Sequence, residues 1–131
     1  MLECEVCGRT ADKHHIVYRC QGGVDFPLNF KYLCSEHHRG KMGPHKSRRV
    51  DLECKIEMQY KLNNILNKDY YNIDDLVVLL EISKGVLKRL LKDCRLYKEG
   101  YKKSDIIYRL MGNKIYTEDM VEEYYNFISS F

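Results

Sequence analysis

Two short stretches, Cys4-Glu5-Val6-Cys7 and Cys34-Ser35-Glu36-His37, constrain this chain more than any other part of it. Each sets a pair of metal-binding side chains two residues apart, close enough on a tight turn to reach one ion. Two such pairs supply the four ligands of a tetrahedral structural Zn2+. The second pair closes a loop that a small apolar core could not hold by packing alone. Disulfides are the other chemistry open to cysteines so spaced, and they need an oxidising compartment. Met1-Leu2-Glu3 does not begin a secretory signal peptide, so a reducing cytoplasm and a metal are expected. No apolar run approaches the length that crosses a bilayer, so no membrane is expected as a partner.

With Cys4, Cys7, Cys34 and His37 assigned to zinc, other potential ligands are left over. All five histidines of the protein fall between Cys4 and His45, so His14, His15, His38 and His45 remain, with Asn29 among them. Basic charge gathers there too: residues 1–68 hold 12 Lys and Arg against 8 Asp and Glu, while residues 69–131 hold 10 against 11. The excess is sharpest at Arg39, Lys41, Lys46, Arg48 and Arg49, beside His38 and His45, where it would meet the phosphates of a duplex.

A histidine pair, an asparagine after a Gly-Gly loop and a histidine directly after a zinc knuckle form an order that resembles the HNH nucleases. His15, Asn29 and His38 stand where that family has its three named residues, in a frame of the type CxxC, HHI, GG, N, LCxxHH. The run from His38-Arg39-Gly40 to Gly43-Pro44-His45 is similar to the form found in bacteriophage and prophage members, which would place the protein in a bacterial host cell. The resemblance covers about the first half of the chain. It implies a ββα-metal fold and a metal-dependent DNA endonuclease that leaves 5′-phosphate and 3′-hydroxyl ends.

The side chains suit that chemistry. An imidazole with a pKa of about 6.5 is largely neutral at physiological pH, so His15 is the expected general base. One divalent cation such as Mg2+, Mn2+ or Ni2+ would stabilise the departing 3′ oxygen. His14, projecting opposite to His15 from a shared strand, and His38 at the start of a helix are the leading ligands. His45 is expected as a third ligand or as a phosphate contact. Many relatives carry a further histidine one helical turn after the last one, where this chain has Met42, and Gly43-Pro44 interrupts any helix running on from His38 to His45. Asn29 is expected either to hold the loop that aims His15, by bonding backbone across the hairpin, or to ligate the ion. Lys13 precedes the histidine pair in place of an acid, so the local sequence names no acidic partner for the site.

The expected fold is α+β in two domains. Residues 1–68 form the zinc-knuckle ββα-metal nuclease domain, with strands near His14 to Tyr18 and Phe30 to Leu33, a helix from Ser35, and a second helix from Val50 to Lys68. Leu52, Ile56 and Tyr60, widened by Leu62, Ile65 and Leu66, give that second helix its apolar stripe. Asn67 to Asn72 breaks the pattern and marks the boundary. In residues 69–131, Ile73 to Leu80 and Lys84 to Lys92 read as two short helices joined by Glu81-Ile82-Ser83, with Ser83 as a cap. This pair resembles the winged helix-turn-helix modules of excisionase and MerR type. A wing is expected from Asp105–Leu110 pairing with Lys114–Tyr116 across Met111-Gly112-Asn113, followed by a helix capped by Thr117 that buries Met120, Val121, Tyr124, Tyr125 and Ile128. Lys84, Lys88, Arg89 and Lys92 would meet DNA, with Lys98, Lys102 and Lys103 nearby. Cys20 and Cys54 receive no chemical role. The expected partner is double-stranded DNA, with phage or host DNA-processing proteins left unspecified. The competing function is a zinc-knuckle DNA-binding regulator whose remaining histidines do no catalysis; for the second half the competing reading is a helical protein-interaction module.

Overall fold

The computed structural model describes residues 2–130, which form a mixed α+β structure. Strand β1 (Asp12–His15) runs antiparallel to β2 (Phe30–Leu33), with Asp12 opposite Leu33 and His15 opposite Phe30. Successive side chains of a strand point to opposite faces, and here that alternation buries His14 while leaving His15 half-exposed. The ladder stops at His15 and does not reach Tyr18. Asn29 is the reason: its backbone oxygen accepts from Ile16 N at 2.8 Å, and its side-chain oxygen accepts from Val17 N at 2.7 Å, replacing the next rung. Helix α1 (Ser35–Arg39) begins where expected, capped by the Cys34 sulfur, and gives way at Gly40.

Helix α2 (Arg48–Ile65) is the beam on which both halves rest. Ser47 caps it, accepting from Val50 N at 3.3 Å, so it starts before Val50 and ends short of Lys68. Its buried residues are Asp51, Leu52, Cys54, Lys55, Met58 and Leu62. The expected stripe through Ile56 and Tyr60 is corrected: Ile56 is partly buried and Tyr60 is 67% exposed. Leu52, Lys55, Met58 and Leu62 also recur at helical spacing, and the lysine at the second position disguises that stripe in the sequence.

After α2 come β3 (Tyr70–Tyr71), α3 (Ile73–Leu80), α4 (Lys84–Leu90), β4 (Leu96–Tyr97), β5 (Gly100–Lys102), α5 (Lys103–Leu110) and α6 (Glu118–Ser129). The side chain of Asn72 caps α3, accepting from Asp75 N at 2.8 Å, and Ser83 caps α4, accepting from Val86 N at 3.4 Å. Helix α4 closes at Leu90 instead of Lys92. Three short strands form an antiparallel sheet in the order β3-β5-β4.

The expected wing is therefore displaced. Asp105–Leu110 belongs to α5, with Ile106, Ile107 and Leu110 buried along one helical face, and Lys114–Tyr116 forms no strand. The hairpin lies upstream, at Leu96–Tyr97 and Gly100–Lys102. Gly100 makes it possible, since its φ is +124° and a Cβ there would stand 2.4 Å from the Tyr71 carbonyl oxygen. Helix α6 also departs from expectation. Thr117 sits at its cap position without a side-chain capping bond, and no residue of the helix is buried. Met120 and Val121 pack partly against the core, whereas Tyr125 and Ile128 are exposed.

One apolar cluster extends from Ile16, Val17 and Phe26 through α2 to Leu76, Leu87, Ile106, Leu110 and Tyr116, so both halves of the chain contribute to it. Their backbones meet closely where Gly112, with φ at +76°, faces the loop after β1; a Cβ at that glycine would lie 2.4 Å from Gln21 O. No helix among the described residues is long and apolar enough to cross a membrane. Gly112→Ala should lower the unfolding free energy by about 1–3 kcal/mol through positive-φ strain and this clash, measured as a reduced urea midpoint with an unchanged m-value.

Candidate metal centres and the histidine cleft

Cys4, Cys7, Cys34 and His37 converge, with one ligand atom from each lying within 4.8 Å of every other. Cys4 Sγ is 3.5 Å and Cys34 Sγ 3.3 Å from His37 Nδ1, and the sulfurs of Cys7 and Cys34 are 3.7 Å apart. Bonds of about 2.3 Å to sulfur and 2.0–2.1 Å to nitrogen give a zinc tetrahedron edges of roughly 3.5–3.8 Å, so the donor set fits the ion. The knuckles have the local bonding that such turns require: Val6 N donates to Cys4 Sγ at 3.4 Å and His37 N to Cys34 Sγ at 3.5 Å. Burial pushes the Cys4 thiol up, but hydrogen bonds from the backbone at Cys34, Val6 and Cys7 outweigh it and bring the pKa down to about 6. At Cys7 a backbone bond at Arg9 lowers the pKa, yet burial and the neighbouring Cys34 and Cys4 sulfurs raise it overall. A cation relieves that crowding of sulfurs by binding them as thiolates.

A second group gathers His14 from β1, His38 from α1 and His45 from the segment before α2. His38 Nε2 lies 3.1 Å from His14 Nδ1 and 2.9 Å from His45 Nε2. Adjacent ligands of an octahedral ion with bonds near 2.1 Å stand about 3.0 Å apart, which these nitrogens match. On the other side of the rings, His14 Nε2 and His38 Nδ1 are buried without a hydrogen-bond partner, and Asp12 Oδ2 approaches His38 Nδ1 only to 3.9 Å. Burial first, then the charges of His38 and His45, hold the pKa of His14 down to about 3. Burial and the positive charges of His45 and Arg39 also lower His38, and burial and Arg39 lower His45. All three shifts favour the neutral imidazole, the form whose lone pair is available to a cation.

These rings line a cleft of about 260 Å³ shared with Lys13, His15, Tyr18, Arg19 and Arg39. His15 is not one of the three clustered rings. Its Nε2 lies 2.8 Å from Asp25 Oδ1, and Arg19 donates to the other oxygen of the same carboxylate at 2.8 Å. The His15 bond, helped by Arg19, holds the Asp25 carboxyl below its usual range. Beside these groups the Tyr18 hydroxyl, pushed up to about 12 by burial and the charge of Asp51, keeps its proton. Asn29 is fully buried, and its amide nitrogen donates to Val17 O at 3.0 Å and to Val24 O at 2.9 Å. Of the two uses expected for Asn29, its bonds match the one that fixes the loop.

Asp25 and Arg19 are invisible to motif reading. The carboxylate that serves His15 lies ten positions downstream in an irregular loop, and only the folding of that loop delivers it. Of the basic residues expected against DNA, Arg39, Lys41 and Lys46 are exposed, whereas Arg48 pairs with Asp51 at 3.2 Å and Arg49 bonds the Tyr125 hydroxyl and pairs with Glu53 at 3.5 Å. Lys84, Lys88 and Arg89 are exposed on α4. Cys20 is exposed and Cys54 buried, and neither joins a metal-binding group among the described residues.

No family model, curated protein or solved structure matches the chain. The site's chemistry therefore rests on its own geometry. Cys34→Ser should lose stoichiometric zinc and unfold at lower temperature, whereas Cys20→Ser should retain both zinc and parent stability; metal analysis and calorimetry on the purified proteins check this.

Proposed function

We propose that this protein is a metal-dependent endonuclease of HNH type acting on double-stranded DNA. The observation that carries the proposal is the division of one short region into two ligand sets, with His15 in the same cleft as the second set but bonded to Asp25 instead of to its neighbours. A zinc at Cys4, Cys7, Cys34 and His37 would be structural, fixing α1 against the hairpin that bears His14 and His15. His14, His38 and His45 would hold a divalent cation. That cation, when bound, supplies positive charge beside the scissile phosphate and its leaving oxygen.

The protein's own groups do the rest. In neutral His15 the bond to Asp25 selects the tautomer protonated on Nε2, leaving Nδ1 as the atom that accepts a proton from water. The ionised Asp25 then stabilises the imidazolium that forms, and Arg19 keeps the carboxylate in place. Water reaches this ring, whose side chain is 26% exposed. Asn29 holds the backbone of Val17 and Val24 together, so the loop that carries Asp25 closes over the strand that carries His15. Lys13, Arg19 and Arg39 line the cleft and offer cationic contacts to phosphate oxygens.

The second half supports the DNA part of this reading. Helices α3 and α4 are joined by Glu81-Ile82-Ser83 and followed by the β4–β5 hairpin, an order of elements compatible with a winged helix-turn-helix module. In that reading α4 would enter the major groove with Lys84, Lys88 and Arg89, and the hairpin with Lys98 and Lys102 would lie along the backbone.

The wild-type protein should relax supercoiled plasmid when Mg2+, Mn2+ or Ni2+ is added. His15→Ala should lose at least a hundredfold in cleavage rate and Asp25→Asn about tenfold or more. Equal cutting by His15→Ala would overturn the assignment of the base, and no cutting with any ion would favour a DNA-binding regulator. Separately, changing Lys84, Lys88 and Arg89 together to Ala should weaken duplex binding and flatten the plot of log affinity against log salt by about one unit for each phosphate no longer neutralised. Fluorescence anisotropy across a salt series measures this directly.

A further inference from the structure

Behind the three histidines lies a polar stack inside the protein body. Lys55 is fully buried, and its Nζ donates to both carboxylate oxygens of Asp51, at 2.9 and 2.8 Å. Asp51 also accepts from the Tyr18 hydroxyl at 3.2 Å and from Arg48 at 3.2 Å. The Tyr18 ring lies 4.7 Å from Lys55 Nζ and stacks on His45, with centroids 5.5 Å apart and ring planes at 10°. It meets His14 edge-on at 5.8 Å. Tyr116, from the second half of the chain, approaches the same ammonium at 5.8 Å.

His45 needs such support more than the other two rings do. His14 stands on a hydrogen-bonded strand and His38 on a helix, whereas His45 follows Gly43-Pro44 in a stretch that belongs to neither. A ligand on an irregular segment must lose its freedom when it engages an ion, and neighbours that already hold the ring reduce that cost. A buried Lys–Asp pair is itself expensive to desolvate and often no better for stability than apolar residues of like volume. Its position here, with one carboxylate fixed by Lys55 and presented to the Tyr18 hydroxyl, gives it a use at the cleft.

We propose that Tyr18 is a positioning residue for His45, clamped by Asp51 and Lys55 so that its ring holds the third imidazole of the histidine site in place for a divalent cation. The proposal rests on the reading that His14, His38 and His45 bind an ion, and it adds a strut from α2 to that site. Lys55 fixes Asp51 through two bonds, Asp51 fixes the phenol through one, and the phenyl face fixes the imidazole plane. Tyr116 closes over the ammonium, so the second half of the protein helps to build the floor beneath the site.

The test is calorimetric titration of Ni2+ into full-length protein that carries zinc at the cysteine site, with zinc content measured before and after. Wild type should take up one Ni2+, and uptake should vanish in His38→Ala. Tyr18→Leu should bind Ni2+ about tenfold to a hundredfold more weakly, the range usual for partners that orient a metal ligand, while keeping its zinc. Tyr18→Phe, which retains the ring but lacks the hydroxyl, should fall between Leu and wild type. Lys55→Met, of similar bulk and without charge, should also weaken Ni2+ uptake, so the proposal stays testable should Tyr18→Leu not fold. Wild-type affinity in Tyr18→Leu or, if that variant does not fold, in Lys55→Met overturns the strut and leaves the metal reading standing. A Phe variant no better than Leu overturns it as well, because the ring would then hold nothing. Absence of Ni2+ uptake in wild type overturns the metal reading and the strut together.

Discussion

The convergence of Cys4, Cys7, Cys34 and His37 is the constraint on which the first third of the structure depends. Around those residues the buried apolar side is meagre: Leu33 and the two thiols of Cys4 and Cys34, with Ala11 partly buried beside them. Such a cluster offers too little area removed from water to offset the entropy of closing the loop between the knuckles. Four such donors could hold one ion, and coordination would then replace packing, as in small metal-dependent folds generally. Cys34 joins the hairpin directly to α1, and His14 on the strand lies 3.1 Å from His38 on the helix.

At the other end the same hairpin is fixed by ordinary packing. Ile16 and Val17 follow directly after the histidine pair and enter the main apolar cluster, which α2 carries into the second half of the chain. The histidine site thus lies between the Cys/His cluster and a packed core. Its buried rings are kept neutral by desolvation, a state that suits a cation and disfavours a proton. Asn29 is the joint between the two regimes, since its side chain satisfies backbone groups at the point where the β-ladder ends. A buried peptide group left unpaired there would cost about as much free energy as breaking a hydrogen bond.

Legibility in the sequence followed the range of the interactions. The knuckles, the capping residue Ser83 and the start of α1 are set within three or four residues, and spacing with side-chain chemistry displays them; the caps Ser47 and Asn72 act over the same range but emerge only with the structure. The wing lies elsewhere than expected because Asp105 to Leu110 has β-branched and aromatic residues that suit a strand, while its burial at Ile106, Ile107 and Leu110 follows a helical face set by neighbours. The hairpin that does form is announced only by Gly100, whose need for a positive φ is a property of the Tyr71 carbonyl packed against it. Likewise the apolar face of α6 has the pattern of a buried one, yet burial depends on what lies opposite, and no residue of that helix is fully covered.

The sequence by itself determined which side chains are of metal-binding type, how they divide into knuckle pairs and remaining histidines, and where α1, α3 and α4 begin, because each of these is a local matter of residue type and spacing. Tertiary structure alone decided that His14, His38 and His45 share one pocket, that Asp25 and Arg19 attend His15, and that a lysine at 0% exposure lies beneath Tyr18. Those relations join residues from separate elements. Their distances are fixed only when the folded Cys/His knuckles and the α2 core hold the chain at once.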